Sequence, residues 1–271
     1  MSALHGMTAA ALVDQQVAVP MRLGRVVRAY AQEAAYEALR MLRAPAFSIG
    51  LLVVPIPVYL FFGVILSAPA IAKNPGIGSY LFSGFSTFAI MGPALFGVGC
   101  TLALEREAGL LKLKRAWPAP GGAYLIAKMA TAVVFAVLLM ILMVSTAVLT
   151  GKANLTAAQF LALSLALIAA SVPFAAIGLF IGAYSSGSAA PAFANIAYLP
   201  QLWLSGLFFP LPKFIEPWAV IWPAFHANQV ALGAAGVREF TFVPMLLSIG
   251  VLAGITVLFG GLAIRRLARH G

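Results

Sequence analysis

Charge is scarce in this chain. Asp, Glu, Lys and Arg make up 9% of its 271 residues, while hydrophobic residues make up 62%. A soluble protein of this length could not hide so much apolar side chain, and the long apolar stretches indicate membrane spans. Cysteine is nearly absent. The single Cys100 lies in an apolar stretch and can form no internal disulfide. Histidine is equally thin: His5, His226 and His270 are far apart and no HExxH is present, which disfavours zinc hydrolase chemistry. No GxxxxGK[ST] run exists to cradle ATP phosphates. Gly182 to Gly187 places serines among glycines without GxSxG spacing, so a serine nucleophile is disfavoured. The first twenty residues lack a basic segment followed by an apolar core and a small-residue cleavage site, so no cleaved signal peptide is expected.

The apolar residues group into six stretches near 46–68, 80–103, 125–150, 157–184, 189–210 and 242–264. Each is long enough to cross about 30 Å of hydrocarbon as a helix. The expected fold is therefore an all-α integral membrane protein, one domain over 1–271, with a tail over 1–21, an interfacial helix over 22–44 and six spans over 46–264. The net charge of +10 sits beside the spans. It reads as orientation by basic residues rather than as nucleic-acid binding. One side collects Arg22, Arg25, Arg28, Arg40, Arg43, Arg106, Lys112, Lys114, Arg115, Lys128, Arg265, Arg266 and Arg269; the other has Lys73, Lys152, Lys213 and Arg238. Both termini are expected in the cytoplasm, and an even number of spans requires them on one side.

Before the first span, Val26, Val27, Tyr30, Ala34, Leu39 and Leu42 recur at roughly helical intervals among Arg and Glu. This predicts an amphipathic helix on the cytoplasmic face, its basic residues toward lipid headgroups. Pro55, Pro57, Pro93, Pro173, Pro191 and Pro200 are expected to kink spans. Gly178 with Gly182, and Gly250 with Gly254, form GxxxG pairs read as packing sites. Leu211 to Thr241 is broken by prolines and carries Trp218 and Trp222, which suits a short re-entrant or interfacial hairpin on the outer face. Hardly any ionisable residue falls at mid-depth in a span. That disfavours a proton relay and leaves open sodium bound by unwound backbone. In the fifth span, Asn195, Gln201 and Ser205 either glue helices or line a path. His226 is either an outer gate contact or a polar residue capping a helix.

The charge that exists concentrates in Glu105, Arg106, Glu107, Lys112, Lys114 and Arg115, inside the segment EREAGLLKLKRAWPAPGGAY. Leu110, Leu111 and Leu113 add apolar contacts, Pro118 and Pro120 end the helix, and Gly121–Gly122 turn the chain back. A short amphipathic helix at the cytoplasmic face can pass a push from a soluble subunit to two spans. An ordinary solvated loop has the same composition.

This segment, continued through LIAK, resembles the first cytoplasmic loop of ABC-2-type transporter permeases. Glu105, Arg106, Glu107, Gly109, Leu113, Pro118 and Lys128 stand at matching places. LSGLFFPLPKFIEPWAVIWPAFHANQVALG is similar to the family's segment after the fifth span, through Ser205, Gly206, Pro210, Pro223 and His226. Lys112 to Arg115 is more basic than the common form. The resemblance implies the permease subunit of an ABC exporter in a bacterial inner membrane, paired with a second copy or close homologue. Two separate ATPase subunits, which hold the ATP and Mg, would dock on the loop 104–124. Glu105, Arg106, Glu107, Gly109, Leu113, Arg115 and Pro118 would form the coupling element. This chain itself needs no cofactor. The first and fifth spans would form the dimer interface and the path, with Asn195, Gln201, Ser205 and His226 as candidate path or outer-gate residues. A lipid-like, drug-like or glycan–lipid substrate suits the short loops. The alternatives are a membrane-embedded lipid-modifying enzyme using His226, or a non-transporting assembly subunit.

Overall fold

The computed structural model describes residues 23–111, 113, 122–209, 211 and 214–270, and among them every regular element is a helix. Helix α1 (Leu23–Leu42) precedes a first span built from α2 (Pro45–Val53), α3 (Pro55–Val58) and a π-helical stretch, Tyr59–Leu66. A short α4 (Ala68–Lys73) leads to α5 (Gly76–Gly92), which passes through a second π-helical stretch, Pro93–Gly97, into α6 (Val98–Glu107). Then come α7 (Ala123–Thr150), α8 (Ala157–Tyr184), α9 (Ala190–Leu204), α10 (Glu216–Ala219), α11 (Pro223–Ala234) and α12 (Met245–His270). The tail over 1–21 and Arg22 lie outside the described residues.

Both π-helical stretches have a proline at or just before their start. Proline donates no backbone N–H and its ring crowds the carbonyl four residues back, so the ladder widens there instead of continuing as α-helix. Pro55 and Pro57 do this in the first span and Pro93 in the second. Pro173, by contrast, sits inside an unbroken α8. The start of α8 is set by a capping box: Thr156 accepts from the Gln159 backbone at 3.3 Å and donates its own N–H to the Gln159 side chain at 2.9 Å.

Gly76–Glu107 is the central element, with 78% of its apolar window buried, against 22% for the first span and for α12. It can be central because neighbours approach its backbone. A Cβ on Gly178 would collide with the Ala94 carbonyl, and one on Gly182 with the Gly99 carbonyl. The α6–α8 crossing is therefore backbone on backbone, the arrangement that GxxxG permits. The second pair behaves differently: Gly250 and Gly254 face open space.

Among the described residues, five helical stretches are long and apolar enough to cross a membrane: Phe47–Leu66, Gly76–Glu107, Ala123–Thr150, Ala157–Tyr184 and Met245–Arg269. The stretch expected as a fifth span, 189–210, holds instead the 15-residue α9, about 22 Å long at 1.5 Å per residue. Gly206, in the left-handed conformation at φ +69°, follows it. The chain still connects the two ends of the bundle. Before α9, Gly187 lies against Leu104 and Glu107; after it, Leu207 lies against Gly84 and the Gly206 carbonyl accepts the Tyr80 hydroxyl. Each of these contacts is antiparallel to α5–α6.

Helices α8 and α12 run parallel, with Phe180 on Phe259 at 5.1 Å and Arg266 over the Tyr184 ring at 5.3 Å. The described N-terminal helix and the end of α12 thus share one end of the bundle. That end carries Arg40, Arg106, Lys128 and Arg266, while Lys152, beside Gly78, and Arg238, next to the Asn74–Glu239 bond, belong to the other.

The two GxxxG pairs make a direct test. Gly178→Val should destabilise the protein by about 1–3 kcal/mol or more through overpacking, whereas Gly250→Val should change it little. Unfolding in detergent–SDS mixtures compares them, and equal effects would contradict the assigned crossing.

Candidate functional site

At 100° per residue, consecutive side chains of the last turn of α6 point in different directions, and the Glu105–Arg106–Glu107 triplet uses all of them. Glu105 turns inward and is 6% exposed. It accepts Lys128 Nζ at 2.9 Å, the Tyr124 hydroxyl from the start of α7, and the Arg40 guanidinium from α1. Lys128 is fully buried. Its ammonium also donates to Thr101 Oγ1 at 2.9 Å and pairs with Glu37 of α1. Arg40 closes the set on Glu37 at 2.7 Å. Two carboxylates and two cations thus cancel in formal charge, with every partner supplied by α1, α6 or α7. Burial works to lower the Arg40 pKa, but the attraction of Glu105 and Glu37 outweighs it and holds the guanidinium above its ordinary value.

Arg106 points the other way. Its guanidinium donates to the Ala183 carbonyl and, at 2.7 Å, to the Ser185 carbonyl, where α8 ends. A cation on the last carbonyls satisfies orphan acceptors and complements the helix dipole. Glu107 remains exposed beside Gly187. Gly109, at φ +73°, closes α6 in the left-handed conformation that favours glycine. Beyond it Leu111 is buried, while Leu110 and Leu113 are 39% and 65% exposed, and Leu104 is 56% exposed. Arg115 and Pro118, with Lys112 and Lys114, lie outside the described residues.

Of the second group of sequence-predicted residues, Gln201, Ser205 and His226 lie toward the other end, and Asn195 lies in the first half of α9. Asn195 is exposed on α9, its amide donating to the Pro191 carbonyl. Gln201 is buried and ties α9 to α11, accepting the Ala224 N–H at 2.9 Å. The Ser205 hydroxyl is buried with no hydrogen-bond partner among the described residues. His226 is 2% exposed. Its Nε2–H donates to the Val220 carbonyl at 2.8 Å and its Nδ1 lies 3.1 Å from the Ser248 hydroxyl of α12. Burial pushes the imidazole pKa down, and the bond to Val220 acts in the opposite sense. Of the two readings of this segment, re-entrant or interfacial, the burial of α11 along Ala224–Leu232 agrees with the re-entrant one. Asn228 accepts from Ser83 at 2.6 Å, and Gln229 accepts the Phe242 N–H at 2.7 Å. Gln201, Ser205 and His226 are thus at the end opposite the quartet, and the two groups do not form one site. Among the described residues no three His, Cys, Asp or Glu side chains converge as a metal set.

Sequence reasoning did not single out Glu37, Thr101 or Tyr124, and counted Arg40 among the basic flanks. The available signals were the i, i+3 spacing of Glu37 and Arg40, and a lysine four residues past Tyr124 within the apolar run of α7.

Removing one member of the quartet leaves a buried charge without its counterion. Glu105→Gln and Lys128→Met should each cost about 3–5 kcal/mol, and the double variant should cost clearly less than the sum. Additive losses in equilibrium unfolding would show that the two do not interact. For His226 the folded pKa is depressed, so its neutral form is favoured by folding. Its contribution is full above the ordinary value of about 6.5 and is lost as pH falls through that value toward the folded one. His226→Gln should flatten this limb of a stability–pH curve.

Comparison with known proteins agrees with this architecture. Residues 32–242 match the family model described as ABC-2 type transporter. A Bacillus subtilis (strain 168) protein named "Putative transport permease YvfS" is 24% identical over 198 residues, covering 72% of this chain and 80% of that protein. With the family model matching most of its length, the chain belongs to the ABC-2 type transporter family.

Proposed function

We propose that this chain is the permease subunit of an ATP-driven exporter in a bacterial inner membrane, with both termini cytoplasmic. Family membership makes it a transporter membrane subunit and implies an ABC ATPase partner in general. The finer reading is that two permease copies, or this chain and a close homologue, pair with two ATPase subunits that hold the ATP and Mg.

The observation that carries this reading is the joint around Glu105 and Arg106. An exposed strip of Leu104, Glu107, Leu110 and Leu113 stands on a base whose adjacent residues hold different parts of the bundle. Through Glu105 the base grips α1 and α7, and through Arg106 it grips the α8–α9 turn. A push on the strip by a closing ATPase pair moves both together. In this reading Glu105 and Arg106 transmit the push from inside the protein, while Glu107 and the leucines receive it. The alternative of a lipid-modifying enzyme finds less support, because both ring nitrogens of His226 are engaged. A lipid-like, drug-like or glycan–lipid substrate fits a chain whose exposed helix faces are apolar, with Asn195, Gln201, Ser205 and His226 as path or outer-gate candidates.

The test is purification of the tagged chain from native membranes in mild detergent. An ABC ATPase should accompany it in about equal amount and be lost from the Leu110→Glu, Leu113→Glu double variant, which alters only exposed side chains. Undiminished ATPase recovery with that variant would remove the strip from the docking surface. Absence of any ATPase, under conditions that preserve a known ABC complex, would sink the whole reading.

A further inference from the structure

The second span, α5 to α6, and α8 run side by side and are locked to each other twice. Toward the end where Tyr80 meets Gly206, Phe82 packs edge to face on Phe160 at 5.2 Å. Toward the quartet, Gly178 and Gly182 take the Ala94 and Gly99 carbonyls against their backbone, and Arg106 holds the Ala183 and Ser185 carbonyls. Each helix carries a proline between these two locks, Pro93 in one and Pro173 in the other. At 1.5 Å per residue the prolines stand about 17 Å from Phe82 and about 20 Å from Phe160. They therefore share one level of the bundle.

Both helices are weakened at that level. A proline offers no N–H, so the Ala89 carbonyl in one helix and the Ala169 carbonyl in the other lose the donor four residues on. In the second span the ladder widens into the π-helical stretch Pro93–Gly97, the kind of interruption at which long helices bend. Beside Pro173 the packing is open. A groove of about 460 Å³ runs between α8, α11 and α12, with Ala169, Pro173, Val230, Leu252 and Thr256 in its lining. Toward that side α8 can flex without displacing packed side chains. Just past the π-helical stretch the second span is braced again. Thr101 Oγ1 donates to the Gly97 carbonyl at 2.5 Å and accepts Lys128 Nζ at 2.9 Å.

We propose that α6 and the last turns of α8 form one lever, which tilts against α5 and the first part of α8 about paired joints at Pro93–Gly97 and Pro173. The glycine crossing and Arg106 make the two helix ends one body, so neither bends alone. Rotation is closed to the lever. Tightening the π turn to an α turn would shift the register by one residue, turn α6 by about 100° and carry Glu105 and Arg106 off their partners. What is left is tilt. A tilt of about 15° moves Glu107, about 15 Å from Gly97 at 1.5 Å per residue, by roughly 4 Å. The Thr101 bond ties Lys128 to the first turn of the lever, and α1 and α7 follow it through the quartet. The push that drives the tilt is that of the ATPase reading above, on which this use of the lever rests. The joints are a property of this chain alone.

Cys100, the one cysteine of the chain, stands on the lever just past Gly97 and serves as the reporter. The full chain is labelled there with a trifluoromethyl thiol reagent, placed in lipid nanodiscs and read by fluorine NMR. Two exchanging resonances are expected, one for each tilt. The Pro93→Ala/Pro173→Ala variant, which returns a donor to both helices, should lose one of them. Pro173→Ala alone, a milder change inside a continuous α-helix, should move their ratio in the same direction. Thr101→Val, which frees Gly97 from Lys128, should change the ratio severalfold. A label at Lys152→Cys in a Cys100→Ser background lies beyond the joints and should give one resonance throughout. A Cys100 spectrum that both proline variants leave unchanged overturns the lever, whether it holds one resonance or two. With a co-purified ATPase, ATP and vanadate should gather the population into one resonance. Two resonances that the alanines collapse but the nucleotide leaves alone keep the lever and remove the ATPase as its driver.

Discussion

Everything at one end of this molecule depends on a lysine with no access to water. Taking an ammonium out of water costs several kcal/mol even after relaxation, so Lys128 can stay charged in its site only if its partners are held in place. Glu105, Glu37 and Thr101 supply three acceptors from two other helices, and Arg40 and Tyr124 complete the shell of the carboxylates. The cost of burying charge thus becomes a geometric constraint: α1, α6 and α7 cannot separate without exposing or orphaning an ion. Arg106 extends the constraint to the end of α8, one residue further along the same turn. A loop anchored in this way can transmit force, where a loop tethered only by its two spans would yield.

The opposite end is also polar inside, but it is neutral. Tyr80, Ser83, Gln201, His226, Asn228 and Gln229 are all buried and bond to backbone or to one another. Their work is set by the backbone. Segments that turn back within the bundle have N–H and C=O groups that no helix satisfies, and hydrocarbon offers no substitute. The non-helical run after α9 and the start of α11 are supplied by side chains instead. Salt bridges brace the end that holds Glu105 and Lys128, and amide and hydroxyl hydrogen bonds line the end where the chain turns back.

Much of this was legible in the residues. The capping box at Thr156 sets the start of α8, and the ends of α7 and α8 fall close to where apolar composition stops. The sorting of basic residues between loops reappears as a sorting between the ends of the bundle. Two features were less legible. Gly76–Glu107 runs longer than its apolar core because Glu105 finds its counterions inside, so the charges that mark a loop in sequence still belong to a helix. The stretch at 189–210 has the composition of a span, yet its helix stops at Leu204, where Ser205 and the left-handed Gly206 divert the chain against α5. The two GxxxG pairs look alike in sequence, but only Gly178 and Gly182 have a backbone opposite them.

The sequence by itself determined that this chain lives in a membrane, how its hydrophobic segments divide, and which family it resembles. Apolar length and charge placement are local properties, priced residue by residue against water and lipid. The tertiary structure alone decided that Glu105 and Arg106 turn inward to different helices, that Lys128 is buried, and that α1 turns Glu37 and Arg40 onto that pair while Arg25 and Arg28 stay exposed. Those outcomes depend on which side chains meet across residues as distant in sequence as Glu37 and Lys128, and no local pattern carries that information.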